Sequence, residues 1–313
     1  MRSPPSPRSA PAPGARSARA RARRRTSARL SAALLGAALA VLAGVGCGSD
    51  DSSPDRFDSA RAFDLIERQV AFGPRPAGSE ASQALGRELR RELPNFQVQP
   101  LAGGLLNLIS VIPGEQPAIV VGAHYDTEAT IPDFVGANDG AAGTAAVVEL
   151  AKVLPGLLPK GHREVRLVLF DGEEEPAGCP EVFFYQCALR GSKAYVAAHP
   201  GEIGEMILLD YIANRGLRIP RVQNSDPALW SRLREAAAEV GAEGYFPDAD
   251  QPPIIDDHIP FIQAGVPAID LIDFSYLYAD TAQDTVDKLD PAALDAVGET
   301  VAELVITLSE PAQ

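Results

Sequence analysis

The sequence predicts a single α/β domain built on a mixed, mostly parallel central sheet with helices on both faces. Short apolar runs rich in β-branched residues alternate with longer segments whose apolar residues recur at helical spacing. Several of these runs end in acidic residues or histidine, which is typical of the carboxyl edge of a parallel sheet, where ligands bind. The 267 residues after position 46 can still share one hydrophobic core.

The first 46 residues predict an export signal rather than a domain. They contain nine arginines and no acidic residue or lysine, and an apolar run from Leu30 to Gly46 precedes Cys47. We therefore expect a signal peptide over 1–46, a lipid-attached tether over 47–57 with the lipid on Cys47, and a catalytic domain over 58–313. Gly44 is smaller than the residue that lipoprotein signals usually carry there, so ordinary cleavage or an uncleaved anchor remains an alternative.

Charge and cysteine content predict the compartment in which the protein acts and exclude some classes of partner. Without its first 46 residues the chain carries 19 basic and 42 acidic side chains, a net charge of −23, which repels nucleic acid and anionic lipid. We expect an exported periplasmic or cell-envelope monomer that reaches the membrane only through its lipid. Cys179 and Cys187 are predicted to form a disulfide, because the protein is exported and no second cysteine pair completes a metal site.

The spacing of apolar residues and the position of turn residues predict two helices and two strands in residues 58–112. Apolar residues at helical spacing predict a helix over Asp58–Gln69, and Ser79 is predicted to cap a second helix that runs to about Leu93. Phe96–Leu101 and Leu105–Ile112 are predicted to form a strand pair joined at Gly103 and Gly104.

Four later strands are predicted to bring acids or histidine to one edge of the sheet. They are Ala118–Gly122 before His124 and Asp126, Val165–Phe170 before Glu173–Glu175, Ile207–Leu209 before Asp210, and Pro267–Asp273, where Asp270 interrupts the apolar run. The helices predicted between and after them are Ala141–Leu154, Pro227–Val240 and Pro291–Leu308, two of which begin with proline. Asp139 would lie at the amino end of the first, where the helix dipole favours a carboxylate.

Two histidines stand beside carboxylates and indicate a metal site. His124 occurs in Ala-His-Tyr-Asp, and His258 occurs in Asp-Asp-His. Imidazole together with several carboxylates is the ligand set of zinc or a similar divalent ion, and a cation would relieve the repulsion among Asp139, Glu173 and Glu174. A solvated acidic loop at Glu173–Glu175 is the plain alternative.

Six motifs in this order resemble the zinc-dependent aminopeptidases and the animal-type glutaminyl cyclases that share their fold. They are Phe72–Ser79, Ala123–Asp126, Gly136–Gly140, Phe170–Glu174, Asp256–Phe261 and Asp284–Leu289. The resemblance covers nearly the whole chain after the signal segment. Within the superfamily, Asp256–Phe261 and Leu208–Ile212 are more similar to the cyclases.

The resemblance implies a role for individual residues. It makes Asp139 and Glu174 zinc ligands, Glu173 the proton shuttle, and Asp210 and Asp256 a hydrogen-bonded acidic pair. The third cyclase ligand is a histidine in Trp-His-Thr, where this chain reads Ala279-Asp280-Thr281. Asp280 is an acceptable ligand, but a carboxylate in place of imidazole weakens the metal as a Lewis acid and favours harder ions. Asp270 likewise replaces a pocket histidine of the cyclases.

Three functions follow as hypotheses. The first is cyclisation of an N-terminal glutamine of a peptide or protein to pyroglutamate with release of ammonia, using one zinc ion. The second is an aminopeptidase with two zinc ions, one on His124, Asp139 and Asp210 and the other on Asp139, Glu174 and Asp280, with Glu173 activating a bridging water. The third is a metal-binding or peptide-binding lipoprotein without turnover.

Overall fold

A computed structural model describes residues 55–310 of the 313-residue chain. The predicted signal peptide, Cys47 and most of the predicted tether lie outside the described residues. The bounds of the eight helices are α1 Ser59–Val70, α2 Glu80–Glu92, α3 Ala141–Val153, α4 Phe184–Cys187, α5 Arg190–Ala198, α6 Pro227–Glu239, α7 Ile259–Gln263 and α8 Pro291–Leu308. The bounds of the eight strands are β1 Phe96–Pro100, β2 Leu106–Ile112, β3 Glu115–His124, β4 Arg163–Phe170, β5 Ile203–Leu209, β6 Arg221–Val222, β7 Asp250–Gln251 and β8 Ala268–Leu271.

Six of the strands form one mixed sheet in the order β1-β2-β4-β3-β5-β8. The four strands β4, β3, β5 and β8 run parallel, whereas β2 is antiparallel to β4 and to β1. The prediction of a mixed, mostly parallel sheet is therefore confirmed. The short parallel pair β6 and β7 was not predicted, because two-residue strands leave no periodic pattern.

Helices cover both faces of the sheet, as predicted. Alternate strand residues divide between two cores, so that Val121 belongs to one and Val120 to the other. The larger core includes apolar residues of α1, α2, α3, α6 and α8, and the smaller includes Tyr195 of α5 and Phe261 of α7. Both cores are needed because a parallel sheet buries each face.

The helix α3 lies directly under the centre of the sheet, because its small residues permit close approach. Eleven of its 13 residues are buried, and most are alanine, valine or glycine. A Cβ atom at Gly143 would lie 2.1 Å from the carbonyl oxygen of Leu209 in β5 and 3.0 Å from Cβ of Ala123 in β3. This contact places the amino end of α3, just after Asp139, beneath the carboxyl ends of both strands.

Side-chain caps start the helices where the sequence predicts. Asp58 accepts a 2.9 Å hydrogen bond from Arg61 N in the first turn of α1. Ser79 accepts a 3.1 Å hydrogen bond from Ser82 N in the first turn of α2. Asp226 does the same for α6, in which Pro227 is the first residue.

The residues just before α1 contact α8. Phe57, assigned to the tether by sequence, is buried, and its amide donates a 2.6 Å hydrogen bond to Glu299 of α8. Arg56 forms ion pairs with Glu299 and Glu303, at 3.2 and 2.8 Å. The contacts with α8 thus include two residues before the predicted boundary at Asp58. Across residues 55–310, no helix has both the length and the apolar character needed to cross a bilayer.

Candidate active site

The carboxyl ends of β3, β4 and β5 meet at one edge of the sheet and open into a cavity of about 520 Å³. His124 of β3 pairs in register with Phe170 of β4, and Gly122 with Leu208 of β5, so the residues that follow these strands are neighbours. The residues lining the cavity are eight acids and nine mainly apolar residues: Glu128, Asp139, Glu173, Glu174, Glu175, Asp210, Asp256 and Asp280, with Thr130, Ile131, Phe184, Tyr211, Pro253, Ile254, Ile255, Ile272 and Phe274. Such a cavity suits a ligand with a cationic end.

His124 lies at the base of this acidic group. It is almost completely buried, and its Nε2 is 3.1 Å from Asp139 Oδ1 and 3.6 Å from Asp210 Oδ1. On the other side of the ring, Nδ1 has no hydrogen-bond partner and lies 3.8 Å from Asp126. Burial alone would lower the pKa of His124, but its interactions with these three aspartates raise it well above its usual range.

The loop after β4 is held by Asp126, a residue to which the sequence analysis assigned no role. One of its oxygens accepts hydrogen bonds from the amides of Gly172 and Glu173, at 2.9 and 3.2 Å, and the other from the amide of Glu174 at 3.3 Å. Gly172 has a φ of +81°, a backbone conformation that favours glycine, so the loop can turn towards Asp126. Asp126 thereby fixes the direction in which both glutamates leave the strand.

Asp139, the residue before Gly140 and α3, is held on its backbone and its side chain. Its amide donates a 3.0 Å hydrogen bond to Asp284, and its Oδ2 accepts a 2.7 Å hydrogen bond from the Tyr211 hydroxyl. Ligand atoms of Asp139, His124 and Glu174 all lie within 4.8 Å of one another, and all three residues are buried. This group has the size and the donor chemistry of a zinc site.

The buried acids around His124, Asp139 and Glu174 have raised pKa values, which favour their protonated forms. Burial, helped by the negative charge of Asp256, raises the pKa of Glu173 well above its usual range. Burial also raises the pKa of Asp210 to about 6, with nearby His124 opposing the rise. The pKa of Asp256 rises to about 7, because it is buried and faces Asp210. A carboxyl with a pKa near neutrality can both accept and donate a proton at physiological pH.

Asp280 lies at the exposed rim of the cavity, beyond Tyr211. Its Oδ1 is 3.1 Å from the Tyr211 hydroxyl, which also contacts Asp139. Asp280 is not part of the compact group formed by His124, Asp139 and Glu174. It therefore lies near Asp139, as its alignment with the family's histidine suggests, but a phenol hydroxyl stands between the two carboxylates.

The two histidines that the sequence singled out lie in different clusters. His258 groups with Asp256 and Asp270, with ligand atoms within 4.8 Å of one another. Both ring nitrogens of His258 and both oxygens of Asp270 are buried without a hydrogen-bond partner, and His258 Nδ1 is 3.6 Å from Asp270. Burial lowers the pKa of His258 to about 3. His258 therefore belongs to a second cluster, with Asp256 and Asp270, and not to the group around His124.

The predicted disulfide between Cys179 and Cys187 is confirmed. It closes the segment that follows Glu173–Glu175 and contains Phe184, whose ring lines the cavity. Just after the disulfide, the amide of Leu189 donates a 2.8 Å hydrogen bond to the carbonyl oxygen of Glu173. The cross-linked segment thus borders the loop that carries the candidate catalytic glutamate.

Sequence reasoning missed Arg75, a fully buried cation near the site. Its guanidinium donates hydrogen bonds to the carbonyl oxygens of Val135 and Gly136, at 2.7 and 3.3 Å, in the segment that leads to Asp139. Burial lowers the pKa of Arg75 to about 10, against the opposing effect of the nearby aspartates. The available signal was an arginine between two prolines in the Phe72–Ser79 motif, where a rigid turn can direct a side chain inward.

The chain resembles both cyclases and peptidases among known proteins. The glutaminyl-peptide cyclotransferase of Boiga irregularis is 27% identical over 238 residues, which cover 64% of this chain and 64% of that protein. The chain thus spans somewhat less than two thirds of that relative. The crystal structure of an Acidobacteriales bacterium glutaminyl cyclase matches with 29% identity and a TM-score of 0.70, over 83% of this chain and 97% of that one.

A peptidase structure matches equally well. A leucine aminopeptidase precursor from Bacteroides thetaiotaomicron has 26% identity and a TM-score of 0.71, over 81% of this chain and 99% of that one. The model of peptidase family M28 matches residues 107–305, which contain nearly all of β2, the elements that follow it up to most of α8, and all eight of the cavity-lining acids. Because this match spans more than half of the sequence, the chain belongs to peptidase family M28.

Proposed function

We propose that this protein is a glutaminyl-peptide cyclotransferase that converts the N-terminal glutamine of peptides or proteins to pyroglutamate and releases ammonia. The observation that carries the proposal is the buried Glu173 beside the compact group of His124, Asp139 and Glu174, in the acid-lined cavity at the sheet edge. The named cyclases among its relatives support the same reading.

The residues present fit a zinc ion. His124, Asp139 and Glu174 converge, and the Nδ1 side of His124 faces Asp126, as metal-bound imidazoles commonly face a carboxylate. A bound zinc ion would polarise the γ-carbonyl oxygen of the substrate glutamine as a Lewis acid. Asp280, proposed as a ligand from the family resemblance, lies 3.1 Å from the Tyr211 hydroxyl and outside this compact group.

In the proposed reaction, Glu173 moves the proton. The substrate's α-amine nitrogen bonds to its own γ-carbonyl carbon, while the bond from that carbon to the amide nitrogen breaks. Glu173 takes a proton from the attacking amine and delivers it to the leaving nitrogen, which departs as ammonia. Both reacting groups belong to one residue, so the cavity need only hold them in contact. Asp210 and Asp256 line the same cavity as Glu173 and would orient the amine.

We propose one ion rather than two. Asp139 Oδ2 accepts a 2.7 Å hydrogen bond from the Tyr211 hydroxyl and would be less available to a second ion. The aminopeptidase remains the second candidate, because Asp139 and Asp210, which would hold its first metal together with His124, lie 3.1 and 3.6 Å from His124 Nε2. The Bacteroides structure named as an aminopeptidase precursor also favours it.

We also propose that the protein acts outside the cytoplasm as a monomer, held to the membrane by a lipid on Cys47. The basic, then apolar first 46 residues and the following cysteine support this location. Mass spectrometry of the membrane-extracted protein would test it, since a lipid-modified Cys47 should be the first residue.

The activity is tested by incubating the purified protein with peptides that begin with glutamine and, separately, with aminoacyl-arylamides. A cyclase releases ammonia and leaves a pyroglutamyl peptide of otherwise unchanged length. Release of free amino acid or arylamine without ammonia would replace the proposal with the aminopeptidase. Inactivity on both substrates at saturating zinc would favour a binding protein.

A further inference from the structure

The residue after Asp210, Tyr211, has an unusual backbone and a buried ring. Its φ is +45°, and its amide donates a 2.8 Å hydrogen bond to the side chain of Asp210. Only 3% of the residue is exposed, and its ring packs edge-on against Phe274, with centroids 6.2 Å apart. A non-glycine residue in this conformation costs free energy and persists where the surroundings hold it in place.

The Tyr211 hydroxyl joins two carboxylates of the cavity. It lies 2.7 Å from Asp139 Oδ2 and 3.1 Å from Asp280 Oδ1. A phenol carries one proton, so it donates to one carboxylate at a time, and the shorter distance favours Asp139. Among residues 55–310, five non-glycine residues have positive φ, and two of them, Tyr211 and Asp280, are the partners in this contact. Backbone strain on both sides of one hydrogen bond is typical of a functional site.

We propose that Tyr211 is a positioning residue for the metal ligand Asp139 and that Asp280 acts through Tyr211 rather than as a ligand. The inference rests on the proposed metal site. By donating to Oδ2, Tyr211 keeps the carboxylate turned so that Oδ1 faces His124 at 3.1 Å, and it occupies the oxygen that a second ion would need. Asp280 Oδ1 lies 3.1 Å from the same hydroxyl oxygen and is the alternative acceptor of its proton.

This arrangement gives Tyr211 and Asp280 a role in the site without making either of them a ligand. Tyr211, two residues after β5, holds the Asp139 carboxylate by a hydrogen bond. Partners of ligands contribute to metal affinity by fixing their orientation, and losing one commonly costs 10–100-fold. The contribution of Asp280 should be smaller and should depend on Tyr211.

Zinc affinity tests the proposal independently of which reaction the enzyme catalyses. The full exported protein and its variants would be stripped of metal and titrated with zinc against a chromophoric chelator, and the cobalt-loaded forms compared by visible absorption. Tyr211→Phe keeps the ring and removes the hydroxyl, so the variant should fold. Its zinc affinity should fall by ~10–100-fold, and the visible absorption spectrum of its cobalt-loaded form should shift. Tyr278→Phe, a partly buried tyrosine that packs on Tyr276, is the matched control and should change neither.

The variants of Asp280 separate the two possible roles of that residue. Asp280→Asn and Asp280→Ala should lower zinc affinity less than Tyr211→Phe does. Asp280→Ala should have no further effect on zinc affinity in the Tyr211→Phe background. Wild-type zinc affinity and an unchanged cobalt spectrum in Tyr211→Phe would overturn the inference, as would an Asp280→Ala variant that loses metal as completely as Asp139→Ala. Failure of the wild type to bind zinc would overturn it as well. Tight zinc binding without ammonia release would instead reject the proposed cyclase and leave this inference standing.

Discussion

At the scale of single residues, the site is a set of buried carboxylates whose roles differ because their neighbours differ. Glu174 groups with His124 and Asp139, whereas Glu173 faces Asp256 and has its pKa raised by burial and by that negative charge. Adjacent glutamates in one loop can therefore serve as a ligand and as a proton carrier, respectively.

The proton role of Glu173 predicts a loss of turnover without a loss of metal. Glu173→Gln keeps the size of the side chain but cannot exchange a proton, so we expect turnover to fall by ~10²-fold or more with zinc content unchanged. Steady-state kinetics and elemental analysis measure the two quantities. Glu239→Gln, at an exposed position of α6, is the control. A Glu173→Gln enzyme with near-normal turnover would remove this residue from the mechanism.

The ligand role of His124 predicts the opposite pattern. His124→Ala removes the ring nitrogen that lies 3.1 Å from Asp139 and should lower the zinc content of the dialysed protein well below that of the wild type. His162→Ala, at a partly buried position just before β4, should keep its zinc. If His124→Ala retains zinc as tightly as the wild type, the ion is held by carboxylates alone.

At the scale of elements, the site depends on close contact between α3 and the sheet. The helix starts just after Asp139, and small residues let it approach β3 and β5. Its position therefore sets where Asp139 lies relative to His124 at the end of β3.

This contact predicts that Gly143→Ala is destabilising, although alanine normally stabilises a helix interior by ~1 kcal/mol relative to glycine. The new Cβ would lie 2.1 Å from a backbone oxygen of Leu209, which cannot move aside as a side chain could. We expect a loss of about 1–3 kcal/mol in the free energy of unfolding, measured by urea denaturation. Gly156→Ala, where a Cβ meets nothing within 4 Å, should be tolerated. Equal stability of the two variants would contradict the packing described for α3.

At the scale of the whole molecule, folding gathers negative charge at one sheet edge. The pKa values of Asp256 and Asp257 rise to about 7 and about 8, in both cases mainly because the carboxyls are buried. Each lies above the unfolded value near 4, so the native state binds more protons than the unfolded chain between pH 4 and 8.

It follows that the metal-free protein should lose stability as pH rises. The contribution of these acids is fully present below about pH 4 and is lost as pH rises through the folded pKa values. Between pH 5 and pH 8, the melting temperature of chelator-treated protein should fall, and added zinc should restore more stability at pH 8. Asp257→Asn should flatten the dependence, whereas Asp248→Asn, at an exposed side chain, should not. A melting temperature that rises over this range would contradict the prediction.

The sequence by itself determined the alternation of strands and helices and which strands end in acids. These features are local: apolar periodicity, caps such as Asp58 and Ser79, and the acids after β4 and β5 are readable within a few residues. The predicted export signal and the cysteine content were enough to predict the Cys179–Cys187 disulfide, which the structure contains.

Only the tertiary structure decided which of these residues meet. Parallel register brings His124 beside the loop after β4, where Asp126 orders the amides of residues 172–174 from 46 positions or more away in sequence. It also separates His258 from His124 and places the Tyr211 hydroxyl between Asp139 and Asp280. Such contacts leave no local pattern, because they depend on the strand order and on the direction in which each side chain leaves its backbone.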